Sequence, residues 1–86
     1  MNYAVRFTRE SEHDMAQTAK ADQQLCKRIT RKLETLQATP LQGKPLVGNH
    51  AGERSLRVGA YRIVYEVREG KRQVIILTVK HRHHVY

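Results

Sequence analysis

The sequence predicts an α+β domain of order β-α-α-β-β-β, an antiparallel meander with two helices packed on one face. Three observations carry that expectation. Tyr3, Val5 and Phe7 alternate with polar or small residues, Leu25, Ile29, Leu33 and Leu36 recur at helical spacing, and beyond Ala51 only segments rich in Val, Ile, Leu and Tyr remain. With 86 residues the chain is expected to form a single domain over 1–86. A chain this short buries only about 60% of its unfolded surface, so the core is thin and a deep cofactor pocket is not expected.

The opening strand runs from Tyr3 to Phe7, with one apolar face. Residues from Glu10 to Lys20 favour a helix, capped by Thr8 or Ser11, whose stripe of Met15, Ala16 and Ala19 is weak. Asp22 can cap the second helix, which turns Leu25, Ile29, Leu33 and Leu36 inward while Lys27, Arg28, Arg31, Lys32 and Glu34 face away. That charged face is expected to be a solvated surface. Thr39-Pro40 ends the helix, and the glycines and prolines from Gly43 to Gly52 mark a loop. Strands then follow at Ser55 to Val58, Tyr61 to Arg68 and Gln73 to Lys80, separated by Gly59-Ala60 and by Glu69 to Arg72.

Charge says more than size. Sixteen Lys and Arg against eight Asp and Glu give a formal net charge of +8, which points to nucleic acid or an acidic protein as partner. The single cysteine excludes a disulfide framework or a zinc set of cysteines and fits a reducing cytoplasm. No run approaches the ~20 apolar residues of a membrane span, and the first residues lack a signal core, so neither membrane nor export is expected.

A two-residue Gly-X connection suits a type II′ hairpin, which places Arg57 opposite Arg62 and Leu56 opposite Ile63. Leu56, Val58, Tyr61, Ile63, Tyr65 and Val67 then share one face, while Glu53, Ser55, Arg57, Arg62 and Glu66 share the other. If Gly70-Lys71 forms the next turn, Arg62 pairs with Val79 and His81 joins the arginine face. Opposed like charges destabilise a sheet, so the arginines call for an anion such as phosphate; a bridge from Glu53 or Glu66 is the alternative. The tail Lys80-His81-Arg82-His83-His84-Val85-Tyr86 adds imidazoles, cations and a phenol. It contains no Asp, Glu or Cys to complete a metal set, so acid-base work without metal or other cofactor is the expectation. His13 and His50 are expected to be surface residues.

Three blocks resemble the RelE/ParE toxin superfamily: Gly43-Lys44-Pro45-Leu46 with Gly48; Ser55-Leu56-Arg57-Val58-Gly59-Ala60-Tyr61-Arg62-Ile63-Val64-Tyr65; and Ile76-Leu77 through Val79-Lys80-His81-Arg82 to Val85-Tyr86. Their order and spacing make the resemblance span nearly the whole chain. It implies a RelE-like toxin of a toxin-antitoxin pair, neutralised by a cognate acidic antitoxin. Such a toxin enters the ribosomal A site among rRNA and cleaves mRNA without a metal, leaving a 2′,3′-cyclic phosphate and a 5′-hydroxyl. Arg62 matches the family's phosphate-binding arginine, and Tyr86 its C-terminal tyrosine. Lys80, His81 and Arg82 cover the basic segment before that tyrosine.

The chain departs from the family where well-studied ribonucleases carry a pair of lysines, for here stand Glu53 and Ser55. Glu53 could act as base, with Arg54, Arg57 and Lys44 supplying positive charge. The expected catalytic set is therefore Arg62, His81, Tyr86 and Glu53, with Arg57, Lys80, Arg82, Lys44 and Arg54 binding substrate. The rival reading is a ParE-like inhibitor of DNA gyrase that cuts nothing, and a third is a silent member acting only within a repressor complex.

Overall fold

A computed structural model describes residues 2–84, with side chains through His83. Strands β1 (Ala4–Phe7), β2 (Lys44–Pro45), β3 (Glu53–Val58), β4 (Tyr61–Arg68) and β5 (Gln73–His81) and helices α1 (Arg9–Ala21) and α2 (Gln23–Thr35) are its elements. The strands form one sheet in the order β1-β5-β4-β3-β2. This is the expected α+β order with one addition, because Lys44 and Pro45 pair with Ser55 and Arg54 as a short edge strand. Two residues, one of them proline, carry no strand signal, although proline is tolerated at an edge. The parallel partner of β5 is β1.

Packing follows the apolar positions. Asp22 caps α2 by accepting the Leu25 amide at 3.0 Å. Ile29, Leu33 and Leu36 then pack with Leu56, Val58, Ile63, Tyr65, Val74, Ile76 and Val79 in the buried core. Gly59 adopts φ +58 and Ala60 does not have a positive φ, as a type II′ turn requires. Val58 consequently pairs with Tyr61, Leu56 with Ile63, and Arg57 with Arg62.

Helix α1 departs from its expected packing. Thr8 caps it as expected, accepting the Ser11 amide at 3.1 Å, but Ala16 is exposed and Met15 and Ala19 are only half-buried. Its buried residues are Ser11, Asp14 and Thr18. The reason lies in the edge of β5 beyond β1. Thr8 Oγ1 reaches the carbonyls of Ile76 and Leu77 at 3.2 and 3.1 Å, and Asp14 Oδ2 accepts the Val79 amide at 2.9 Å. Polar side chains on this face of α1 satisfy strand groups that would otherwise be buried without partners.

At the same place β5 carries an extra residue. Tyr65 pairs with Ile76 but Val64 with Thr78, which leaves Leu77 as a bulge. From there the register is displaced by one, so Arg62 faces Lys80 and Tyr61 faces His81. The expected pairing of Arg62 with Val79 is corrected accordingly.

Tyr65 ties the long loop to the sheet. Its hydroxyl donates to the Pro40 carbonyl at 2.8 Å and accepts the Gly43 amide at 2.9 Å. A Cβ on Gly43 would stand 2.6 Å from that hydroxyl and 2.9 Å from the Ser55 carbonyl, so glycine is needed there for close approach. Burial raises the Tyr65 pKa above 10.0, against the lowering effects of the Gly43 amide and Arg54.

Candidate functional site

Successive strand residues point to opposite faces, so Glu53, Ser55 and Arg57 leave β3 on the face away from the helices. Arg62 joins them from β4 as the cross-strand partner of Arg57. Lys44 completes the group from β2, where it pairs with Ser55. All of these but Glu53 line a groove of about 370 Å³, formed by Lys44, Ser55, Leu56, Arg57 and Arg62. Arg57 is exposed and Arg62 half-buried.

None of the three cations has a carboxylate partner among the described residues. The possible bridges are directed elsewhere: Glu66 lies 3.0 Å from Arg68 Nη2, and Glu53 lies 3.0 Å from His50 Nδ1. Three positive side chains around a groove repel one another, and a phosphate is a ligand with the charge and geometry to relieve that repulsion. Arginine is suited to this task by its planar fork of donors.

His50 was expected on the surface. It is half-buried and held by Glu53, an arrangement in which a carboxylate fixes the orientation of an imidazole. Glu53 shares the outer face with Arg57, four residues or about 13 Å along the strand. The sequence signal was the His-x-x-Glu spacing across the turn at Gly52, which no strand or helix periodicity exposes.

The rest of the expected set is dispersed. Lys80 starts in register with Arg62, but its ammonium ends 2.6 Å from Asp14 Oδ1 and 3.2 Å from Glu10 Oε2. The hydrogen bond that Lys80 donates to Asp14, more than any other influence, raises its pKa above 10.5, with Glu10 acting the same way and burial opposing. His81 was expected beside Arg57 and Arg62. The bulge instead sets it opposite Tyr61, with ring centroids 5.5 Å apart at 81°, in a hollow shared with Gln17 and Thr18 of α1. His83 stacks on His81 at 4.9 Å.

Arg54 was expected to bind substrate, but it occupies the helix-side register of Tyr65, and its Nη1 donates to the carbonyls of Leu41 and Gly43 at 3.1 and 2.8 Å. It clamps the loop. Arg82 is exposed, and its amide donates to the Ala60 carbonyl at 2.7 Å, bringing the start of the tail to the β3–β4 turn. Tyr86 lies outside the described residues. Among the described residues no group of three or more His, Cys, Asp or Glu side chains is placed to hold a metal, and no helix is long and apolar enough to cross a membrane.

Comparison with known proteins gives the fold and site a context. Residues 5–86 match the family described as the ParE toxin of type II toxin-antitoxin system, parDE. Toxin RelG of Mycobacterium tuberculosis is 34% identical over 87 residues, which covers 100% of this chain and 98% of RelG. Among solved structures, a chain of the toxin-antitoxin complex RelBE2 from the same organism superposes with a TM-score of 0.83 at 32% identity, covering 94% of this chain and 99% of that one. The YoeB/ParE toxin from Agrobacterium tumefaciens has the same fold, with a TM-score of 0.81 at 23% identity over 91% of this chain and 96% of its own.

Proposed function

This chain belongs to the ParE toxin family of type II toxin-antitoxin systems, and from that premise we propose that it is a ribosome-dependent endoribonuclease that cuts mRNA without a metal. The observation that carries the reading is the Arg57–Arg62 pair, opposed across two strands, free of carboxylates among the described residues and joined by Lys44 in one groove.

In the reaction the RNA 2′-hydroxyl attacks the adjacent phosphorus and the bond to the 5′-oxygen breaks, leaving a 2′,3′-cyclic phosphate and a 5′-hydroxyl. Arg57 and Arg62 hold the scissile phosphate and neutralise the charge that grows on its oxygens in the transition state. Removal of the 2′-hydroxyl proton is assigned to Glu53, the carboxylate on this face, which His50 orients. Because its backbone lies about 13 Å along the strand from that of Arg57, the arginine side chains extend toward it to bring the phosphate within the base's reach. Protonation of the departing 5′-oxygen falls to the tail beyond Arg82, where the resemblance places Tyr86. His81 serves there as support for the tail, through Tyr61 and His83, more than as a proton carrier.

The partner that restrains this activity is a cognate antitoxin, as in the RelBE2 complex, and the charge of +8 suits an acidic one. The ParE description of the matching family keeps gyrase inhibition as the second reading. The two separate in a translating extract. An mRNA cut only while translated, with cyclic-phosphate and 5′-hydroxyl ends, supports the nuclease; intact mRNA with gyrase-dependent DNA breaks supports the inhibitor.

A further inference from the structure

The basic face of α2 is largely exposed, as its sequence suggested, and it also borders a groove. Arg28, Arg31 and Lys32 line a second groove, of about 420 Å³, between α2 and the tip of β3. Arg57 lines this groove as well as the one it shares with Lys44 and Arg62, so the two are joined by a common residue. The Arg28 guanidinium fixes the connection at the hairpin, lying 3.9 Å from where a Cβ on Gly59 would stand.

Neither groove has an Asp or Glu in its lining. Among the described residues Arg28, Arg31 and Lys32 enter no ion pair, while Arg68 and Lys80 do. Glu34, a nearby acid on α2, lines a neighbouring groove that Arg31 also borders, but forms no ion pair among the described residues. Six cations thus follow one path from the sheet, around the β3–β4 turn, to the helix. A solvated face interleaves charges of both signs, whereas an uncompensated path of one sign that runs into a phosphate cradle matches a polyanion with regularly spaced charges.

We infer that the α2 groove is a second phosphate-binding stretch of one RNA track. A single strand whose scissile phosphate sits between Arg57 and Arg62 passes its neighbouring phosphates over the turn to Arg28, Arg31 and Lys32. The inference rests on the RNA reading of the Arg57–Arg62 groove and adds the route the strand takes beyond it. These contacts carry no base information, so they set affinity and register for every sequence alike.

The test measures binding of a single-stranded RNA of about twelve nucleotides, 2′-O-methylated to prevent cutting, across a range of salt concentrations. Each phosphate contact contributes about 0.7 to the slope of log affinity against log salt on single strands. The variant Arg28→Ala/Arg31→Ala/Lys32→Ala is expected to bind about 10- to 100-fold more weakly near 0.1 M salt, with a slope shallower by about 2. The milder Arg28→Gln/Arg31→Gln variant should lose about 1.4 of slope and serves if the triple variant melts early. Lys20→Ala/Lys71→Ala, at exposed positions that line neither groove, should lose much less.

A wild-type slope in both α2 variants, with tight RNA binding by the unaltered protein, overturns the track and leaves the Arg57–Arg62 reading standing. If the unaltered protein binds no RNA, the track falls, while cutting of a translated mRNA decides the Arg57–Arg62 reading separately. Unchanged RNA binding with lost neutralisation by the acidic antitoxin would also overturn the track, assigning the surface to the protein partner.

Discussion

Lys80 stands opposite Arg62 across β4 and β5, yet its ammonium turns over the sheet edge to Asp14, 2.6 Å away. One bulge and one buried carboxylate account for both facts. Asp14, 6% exposed, receives the Val79 amide and the Lys80 ammonium on its two oxygens and so holds β5 in the displaced register.

Replacing Asp14 by Ala should therefore destabilise the fold by about 2–3 kcal/mol, since it strands the Val79 amide and takes from Lys80 the shorter of its two carboxylate contacts. Asp14→Asn, which keeps an acceptor for the Val79 amide, should lose less. Urea unfolding of the two variants checks the order. Equal losses would show that the charge on Asp14, and not its acceptor geometry, dominates.

Stability should also fall at high pH. The folded pKa values of Lys80 and Tyr65 are both raised, from 10.5 and 10.0. The folded state holds these protons more tightly than the unfolded one, so their contribution is complete below the unfolded values and is lost as pH rises through the folded ones. Melting temperatures measured from pH 8 to 12 should decline from about pH 10 upward. Lys80→Met should make that decline shallower.

The loop should depend on Tyr65 more than on its own composition. Tyr65→Phe leaves the Gly43 amide and the Pro40 carbonyl without their buried partner, at a cost of about 1–3 kcal/mol. Gly43→Ala forces a Cβ against the same hydroxyl and should cost at least as much. Proteolysis within residues 40–52 should accelerate in both variants before the core melts.

Much of this architecture was legible in the residues. The Gly59-Ala60 turn fixed the register of β3 on β4, and with it the Arg57–Arg62 pair, because side chains alternate and a two-residue turn leaves no slack. Asp22 and the Leu25, Ile29, Leu33 spacing identified α2 for similarly local reasons. The bulge at Leu77 was not legible. Its cause is Thr8 and Asp14, polar residues of a helix more than sixty positions away in sequence, and so His81 was placed on the wrong face. Arg54 and Lys80 were misplaced for a related reason: their charge announced a ligand, whereas the loop carbonyls and the α1 carboxylates that occupy them are visible only once the chain is folded. His50 was read as a lone surface residue because its partner, Glu53, lies across a turn.

If Glu53 acts as the base and His50 orients it, removing either should slow cleavage with little effect on RNA binding. Glu53→Gln and His50→Ala are each expected to lower the single-turnover rate by about 10²–10⁴. An unchanged rate in the folded variants would reduce the pair to a structural brace for the Gly52 turn.

The most direct measurement compares the unaltered protein with Arg62→Ala for cleavage of a translated mRNA, alongside their melting curves. Loss of one donor to the developing phosphate charge should reduce cutting by about 10²–10³, while the half-exposed position leaves stability within about 0.5 kcal/mol. Undiminished cutting by a folded Arg62→Ala protein would contradict the account.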